Sequence, residues 1–330
     1  MQRFPKLILP SMPHSVTPEK TAYHAEIFSN RLKNRFRHLS KKFKRQGIEC
    51  FRLYDWDIKE VRAVVDWYAG HAVIGEYIRW QTGPEWLPAM AKAVAASLNI
   101  PENHVHMKRR QTKPEEGPRY QKMGSKGKRF KVQERNLTFW VNLDDYLDTG
   151  LFSDHRDTRV IIGKLAKDKD FLNLFGYTGA FTCAAAAGGA RSTVTVDRSE
   201  TYINWAKDNL KLNNSAGEQH TFIQSDSGMF LDQARRQGRK FTLAFVDPPS
   251  FFEDKLKKQA FDVNIDHPAL IKDVLKLMVP GSTVFFSTNH QRFEPKLEGL
   301  SVKHLMEITP KTIPEDYRNR KAHRCWRMSA

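Results

Sequence analysis

The chain has 330 residues, 40% apolar and 28% charged, which is beyond the size at which one hydrophobic core usually stops growing, so two domains are expected. No run approaches the roughly 20 apolar residues of a membrane helix, and the opening MQRFPKLILPSMPHS has too short an apolar run, broken by proline, for a secretory signal; membrane and secreted classes are excluded. The net charge of +17 is uneven, with +14 on residues 1–140 and +3 on the remainder, as a module for polyanions such as nucleic acid needs, because each neutralised phosphate releases condensed counterions. Three scattered cysteines, Cys50, Cys183 and Cys325, form neither a disulfide framework nor a CxxC pair, which fits a reducing, cytoplasmic home.

In chain order, residues 17–46 read as a basic amphipathic helix opened by Thr17, Pro18 and Glu19. Phe28, Leu32, Phe36, Leu39 and Phe43 recur at steps of three or four and line its packing face. The opposite face carries Lys41, Lys42, Lys44 and Arg45, which are candidates for phosphate contact, and Gly47 stops the helix. The segments ECFRLYDWD, VRAVVDWYAG and HAVIGEYIRW predict three strands of a meander, residues 85–98 a helix, and KRFKVQERNLTFWVNL a hairpin. Residues 108–131, which include Lys126 and Lys128 and three glycines, predict a mobile basic loop. From about residue 155 strands and helices alternate: DFLNLF (170–175), STVTVD (192–197), HTFIQS (220–225), FTLAFVD (241–247) and STVFFST (282–288), with a final antiparallel pair near 302–309 and 322–328. That rhythm predicts an α/β fold, a doubly wound and mostly parallel sheet, behind a smaller α+β N-terminal domain. The expected division is a basic helical region 1–48, a small RNA-binding domain 49–145 and a catalytic domain 146–330.

Ligands of such sheets bind beyond the carboxyl ends of the strands, and the informative residues stand there. The first strand runs into the tight turn Asn173, Leu174, Phe175, Gly176, Tyr177, Thr178, Gly179, which lacks the GxGxxG of dinucleotide binders. The second ends in Asp197, able to accept from both hydroxyls of a ribose, and the third in Asp226 and Ser227, placed to meet an adenine edge. The fourth ends in Asp247, Pro248, Pro249, Ser250 and Phe251, where two prolines fix the backbone and remove donors. Each alone could be a cap or a turn; their order and spacing together point to one site.

This constellation resembles the class I S-adenosylmethionine-dependent methyltransferases. More narrowly, FLNLFGYTGAFT, TVDRS, QSDS, DPPSF, FSTNHQRF and RNRKAHRCW resemble the C-terminal guanine-N7 half (RlmK) of the bacterial bifunctional 23S rRNA methyltransferases of the RlmKL type. RLYDWD, YQKMGSKG and VNLDDYLDTGLFSDHR resemble that family's preceding small domain and junction. Phe175 and Tyr177 occupy two of the three glycine places of the general methyltransferase loop. The guanine-N2 half is not in the chain, so a stand-alone version is expected.

The resemblance implies S-adenosylmethionine as cofactor, with Asn173 to Gly179 around its methionine part, Asp197 and Arg198 at the ribose, and Asp226 and Ser227 at the adenine. Asp154, His155 and Arg156 would lie near the cofactor's carboxylate, a surface salt bridge being the other reading. Asp247, Pro248 and Pro249 would form the floor where the base meets the methyl group. Asn289, Arg292, Arg318 and Arg320 would reach the RNA, or the arginines would form a structural cluster; where the family has FSNN this chain has FSTN, followed by His290. Phe251 and Phe252 would stack on a base or be buried. The implied activity is transfer of a methyl group to guanine N7 of 23S rRNA during large-subunit maturation, by a monomer without metal. Cytosine-C5 chemistry needs a cysteine nucleophile, which the place after the fifth strand lacks; exocyclic-amine methylation stays open, and so does a non-catalytic RNA-binding protein.

Overall fold

The computed structural model describes residues 16–77, 83–110, 124, 127–254 and 259–330. The opening segment 1–15, most of the predicted basic loop and Lys126 lie outside them. The chain divides into two compact units, Met1–Lys41 with Leu53–Gly117 and Lys42–Arg52 with Pro118–Ala330.

The long helix α1 (Pro18–Arg45) begins where the sequence places it, with Thr17 Oγ1 accepting the Lys20 N–H at 3.3 Å. Within the first unit Phe28, Leu32 and Leu39 are buried, Phe28 edge-on to Tyr54 at 4.7 Å. Half-buried Phe36 packs on Trp67 at 4.8 Å. The sheet is β1 (Cys50–Asp55), β2 (Ala63–Tyr68), β3 (His71–Tyr77) and, after α2 (Trp86–Leu98), β4 (Val105–Arg110), in that order. β2 and β3 are antiparallel, whereas β4 lies parallel to β3. The first three strands follow the predicted meander. The fourth was not anticipated, because HVHMKRR has too little apolar character to announce a strand by itself.

The second unit opens with the hairpin β5 (Phe130–Glu134) and β6 (Leu137–Val141), then α3 (Arg156–Leu165), β7 (Asp170–Leu174), α4 (Ala180–Ala187), β8 (Ser192–Asp197), α5 (Glu200–Leu212), β9 (His220–Gln224), α6 (Ser227–Arg236) and β10 (Phe241–Val246). A ribbon of β11 (Phe251–Asp254) and β12 (Gln259–Asp262) follows, then α7 (Val263–Lys276), β13 (Met278–Thr288), β14 (His304–Glu307), the short α8 (Thr309–Thr312) and β15 (Arg324–Ser329). The seven-stranded sheet has the order β14-β15-β13-β10-β7-β8-β9. β9, β8, β7, β10 and β13 are parallel, and β15 is antiparallel to both its neighbours. The winding direction reverses between β7 and β10, which opens the crevice that such sheets use for ligands. Successive residues serve opposite faces: Leu172, Ala244, Phe286 and Trp326 pack on one side, and Phe171, Leu243, Phe245, Phe285 and Cys325 on the other. Covered on both faces, these strands read as continuous apolar runs.

Two expectations are corrected here. The hairpin does not belong with the small domain: the Thr138 N–H and C=O bond the Asn213 side chain at 2.9 and 2.7 Å, and Asn209 Oδ1 accepts the Trp140 N–H at 2.9 Å. The hairpin and Lys42–Arg52 therefore group with the second unit. The β11–β12 ribbon after the Asp247 turn was also not foreseen.

Candidate active site

The turn after β7 is built from backbone. Phe175, Tyr177 and Gly179 all have positive φ, of 59°, 48° and 74°, so the two aromatic residues adopt the backbone that glycine usually supplies, at about 1–2 kcal/mol each. Hydrogen bonds hold the turn in this shape: Gly176 N–H donates to Val196 C=O at 2.8 Å, Gly179 N–H to Gly176 C=O at 2.9 Å, and Tyr177 N–H to Asp197 Oδ2 at 2.9 Å. The Tyr177 ring packs edge-on to Tyr202 at 4.5 Å, with Phe152 at 5.1 Å on its other flank. A Cβ on Gly176 would meet Thr195 Cγ2 at 2.4 Å, and one on Gly179 would meet Ala206 Cβ at 2.6 Å. Glycine is required at these two places for space.

Two predicted ligands of this turn point inward. Asn173 is buried and donates from Nδ2 to Thr182 Oγ1 at 3.0 Å. Thr178 is also buried, its Oγ1 donating to Gly150 C=O at 2.6 Å while its C=O accepts from Asn209 Nδ2 at 2.8 Å. Their side chains brace the turn and are not available to a ligand.

Asp197 ends β8 with each carboxylate oxygen already taking one backbone N–H, Oδ2 from Tyr177 and Oδ1 from Ser199, both at 2.9 Å. Burial pushes its carboxyl above the ordinary value against those two bonds. The Arg198 N–H bonds this carboxylate as well; with about four lone-pair sites in all, acceptor capacity for a hydroxyl remains. Asp226 caps α6, its Oδ1 accepting the N–H groups of Gly228 and Met229 at 2.9 and 3.3 Å, with Ser227 buried as the first helical residue. Arg198 is exposed and lies 4.9 Å over the Phe252 ring, which stacks in turn on Phe261. Phe252 is thus sandwiched, while Phe251 remains exposed.

Beyond β10, a different construction surrounds Asp247. His155 Nε2 lies 3.5 Å from Asp247 Oδ2, and the buried rings of His155 and His323 stack at 3.8 Å. His323 bonds Asp154 Oδ2 through Nδ1 and Thr312 Oγ1 through Nε2, both at 3.0 Å. Burial pushes the Asp247 carboxyl up to about 7, opposed by His323 and reinforced by the negative Asp154. Burial, joined by His323 beside it, pushes His155 well below its ordinary value, opposed by Asp154. It would raise Asp154 too, but His155 and the hydrogen-bonded His323 outweigh it and hold that carboxyl well below its usual range. The ligand atoms of Asp154, His155 and His323 lie within 4.8 Å of one another, a spacing that could hold a metal ion; both nitrogens of His323 are already spent on Asp154 and Thr312. Next to the prolines, Ser250 Oγ donates to Asn289 Oδ1 at 2.7 Å, joining the turn after β10 to the turn after β13.

Arg156 is not in this cluster, contrary to expectation. It is buried in an ion pair with Asp316, donates to Cys50 C=O at 3.0 Å, and lies 4.9 Å over the Phe43 ring. Such a guanidinium supports the fold and cannot reach a ligand. Arg320 likewise holds its own loop, donating to the carbonyls of Ile313, Pro314 and Tyr317 at 3.1 to 3.4 Å. Of the other basic candidates, Lys41, Lys44, Arg45, Lys128, Arg292 and Arg318 are exposed, and Lys42 pairs with Glu315 at 2.6 Å. The three cysteines are buried and free of disulfides. Burial pushes the Cys183 thiol up to about 12 and pushes the Cys50 and Cys325 thiols well up too, so none is a nucleophile.

Residues 63–309 match the family of S-adenosylmethionine-dependent methyltransferases. Among solved structures, SMU.776, described as a methyltransferase complexed with SAH, is 21% identical, with a TM-score of 0.70 over 92% of this chain and 82% of that one. An S-adenosylmethionine-dependent methyltransferase from Streptococcus mutans is 20% identical, with a TM-score of 0.73 over 94% and 81%. The tRNA m1G37 methyltransferase of M. jannaschii is 15% identical, with a TM-score of 0.52 over 91% and 76%. At these identities the likeness is one of fold.

Proposed function

The chain belongs to the S-adenosylmethionine-dependent methyltransferases, and from that premise we propose that it methylates N7 of a guanosine in 23S rRNA. The residues present suit the cofactor: the turn 175–179 offers a backbone cradle, Asp197 retains acceptor sites at the end of β8, and Asp226 stands at the end of β9. When bound, the cofactor supplies an electrophilic methyl group on a positively charged sulfur. Guanine N7 has a lone pair and no proton to lose, so the protein is asked to align and desolvate the reactants, and no general base is needed.

The observation that carries this reading is the makeup of the floor: a half-buried carboxylate beside two prolines, with every thiol of the chain shut in the core. Ionised Asp247 would offset the positive charge that appears on the purine ring. Pro248 and Pro249 lack N–H groups, which leaves that wall of the pocket made of acceptors. A base locked in a duplex does not present this geometry, so local unpairing or flipping of the target is part of the reading. Lys41, Lys44 and Arg45 of α1 and Lys128 would grip phosphates and position the RNA without reading its sequence. The tRNA substrate in the name of the M. jannaschii structure is consistent with an RNA target for this fold.

The test is methyl incorporation from labelled S-adenosylmethionine into protein-free 23S rRNA, followed by nucleoside mass spectrometry. 7-Methylguanosine is the expected product. N2-methylguanosine or 5-methylcytidine would overturn the base assignment, and tight RNA binding without incorporation on either free rRNA or precursor particles would overturn the catalytic one.

A further inference from the structure

Three of the chain's twelve histidines gather in the first unit, in a region the methyl-transfer chemistry does not use. His71 opens β3 directly after the tight turn Ala69–Gly70, whose residues have φ of 45° and 96°. His104 and His106 flank Val105, the first residue of β4. β3 and β4 are parallel, with Ala72 opposite Val105 and Val73 opposite His106, so their backbone ladder holds the three side chains in register. The His71 and His104 rings stack at 4.1 Å with 15° between their planes. His71 Nδ1 lies 3.2 Å from His106 Nε2, and His104 Nδ1 lies 3.2 Å from the Gly70 carbonyl oxygen.

The protonation states follow from these contacts. A carbonyl only accepts, so His104 donates from Nδ1 and keeps the lone pair on Nε2. Between His71 Nδ1 and His106 Nε2 there is room for a single proton, carried by one and accepted by the other. We propose that these two nitrogens are a binding site for a divalent transition-metal ion of the zinc, nickel and copper class, the ion lying to one side of the line between them and the shared proton moving to the far nitrogen of the ring that carries it, so that both ligands stay neutral.

The spacing supports this choice of ligand. Imidazole nitrogens sit about 2.0–2.1 Å from zinc, so two of them on one tetrahedral ion are about 3.3 Å apart, close to the separation found. Two neutral nitrogen donors suit borderline ions and discriminate against magnesium and calcium, which take oxygen ligands. His104 acts as a positioning residue: tied to Gly70 and stacked on His71, it fixes the plane in which the His71 lone pair points. Both ligands stand on hydrogen-bonded neighbouring strands, so little has to be ordered on binding.

The experiment is calorimetric titration of the full chain with zinc chloride, then with nickel sulfate, alongside His71→Phe, His106→Gln, the double variant and His104→Ala. His71→Phe keeps a ring against His104 while removing the nitrogen. Expected are one more equivalent bound by the wild type than by the double variant, a loss of at least tenfold in affinity for each single ligand variant, and a loss of a few fold for His104→Ala. Independently of any variant, the His71 and His106 ring protons should shift in the NMR spectrum with the first equivalent of zinc. Equal stoichiometry and affinity in the wild type and the double variant, as binding at the Asp154, His155 and His323 cluster would give, overturns the proposal. So do ring resonances that do not move.

Discussion

The cofactor turn and the Asp247 floor stand at the same edge of one sheet and are made in opposite ways. The turn comes from seven consecutive residues and is held by main-chain hydrogen bonds and by the Asp197 carboxylate on the Tyr177 N–H, with Phe175 and Tyr177 pressed into a glycine-like backbone. The floor is assembled from four titratable side chains, Asp154, His155, Asp247 and His323, which arrive from three distant parts of the chain, the two histidines buried and the two acids half-buried. A binding cradle built mostly of backbone is intolerant of added volume; a reaction floor built of interacting titratable side chains answers chiefly to pH. Buried polar groups also need a rigid support, and the Arg156–Asp316 pair next to the His155 segment supplies it.

That contrast can be broken at its support first. Arg156→Ala leaves Asp316 buried without its partner, and denaturant unfolding should show a loss of about 3–5 kcal/mol; a loss under 1 kcal/mol would mean that the pair does not brace the floor. Asp247→Ala should lower single-turnover methyl transfer by about 10²–10³-fold while 23S rRNA affinity stays within about twofold of wild type, measured by filter binding. Gly176→Ala should cost about 1–3 kcal/mol in stability through overpacking against Thr195 and weaken cofactor binding with no change in the pH profile.

The pH dependence sharpens the comparison further. Because the Asp247 carboxyl is raised to about 7 and its ionised form is the useful one, single-turnover rates should rise with pH through about 7 and level off above it. Stability should move the other way: folded Asp247 holds its proton where the unfolded chain, titrating near 3.9, has lost it, so its contribution favours the folded state below about 4 and falls as pH rises to about 7. Asp247→Asn should flatten both profiles, and an unaltered rate profile would assign the titration to another group. The smallest effect is expected from the basic helix. Neutralising Lys41, Lys44 and Arg45 together should weaken RNA binding uniformly and reduce the slope of log affinity against log salt by about two, at roughly 0.7 per phosphate contact on single strands.

Much of the architecture was legible beforehand. Strand periodicity located β7 to β10, β13 and the final antiparallel pair; β7, β8, β10 and β13, which hold mostly buried residues, read as apolar runs bounded by turn residues. The acids and glycines that follow those strands were equally visible, because the site lies at strand ends and strand ends are local. Phe175 and Tyr177 could be placed at glycine positions, though not their positive φ. What could not be read were pairings across long stretches of chain. Asp154 and His323 are 169 residues apart, and Arg156 and Asp316 are 160 apart; nothing local marks Asp154 as part of a histidine network and Arg156, two residues on, as a core ion pair. The hairpin's place in the second unit depended on Asn209 and Asn213 offering side-chain amides to its backbone. Local pattern determines which segments become strands and which residues stand at their ends, since those are matters of period and propensity. Partnership and burial set which side chains are charged, braced or free to act, and those exist only once distant segments have been brought together.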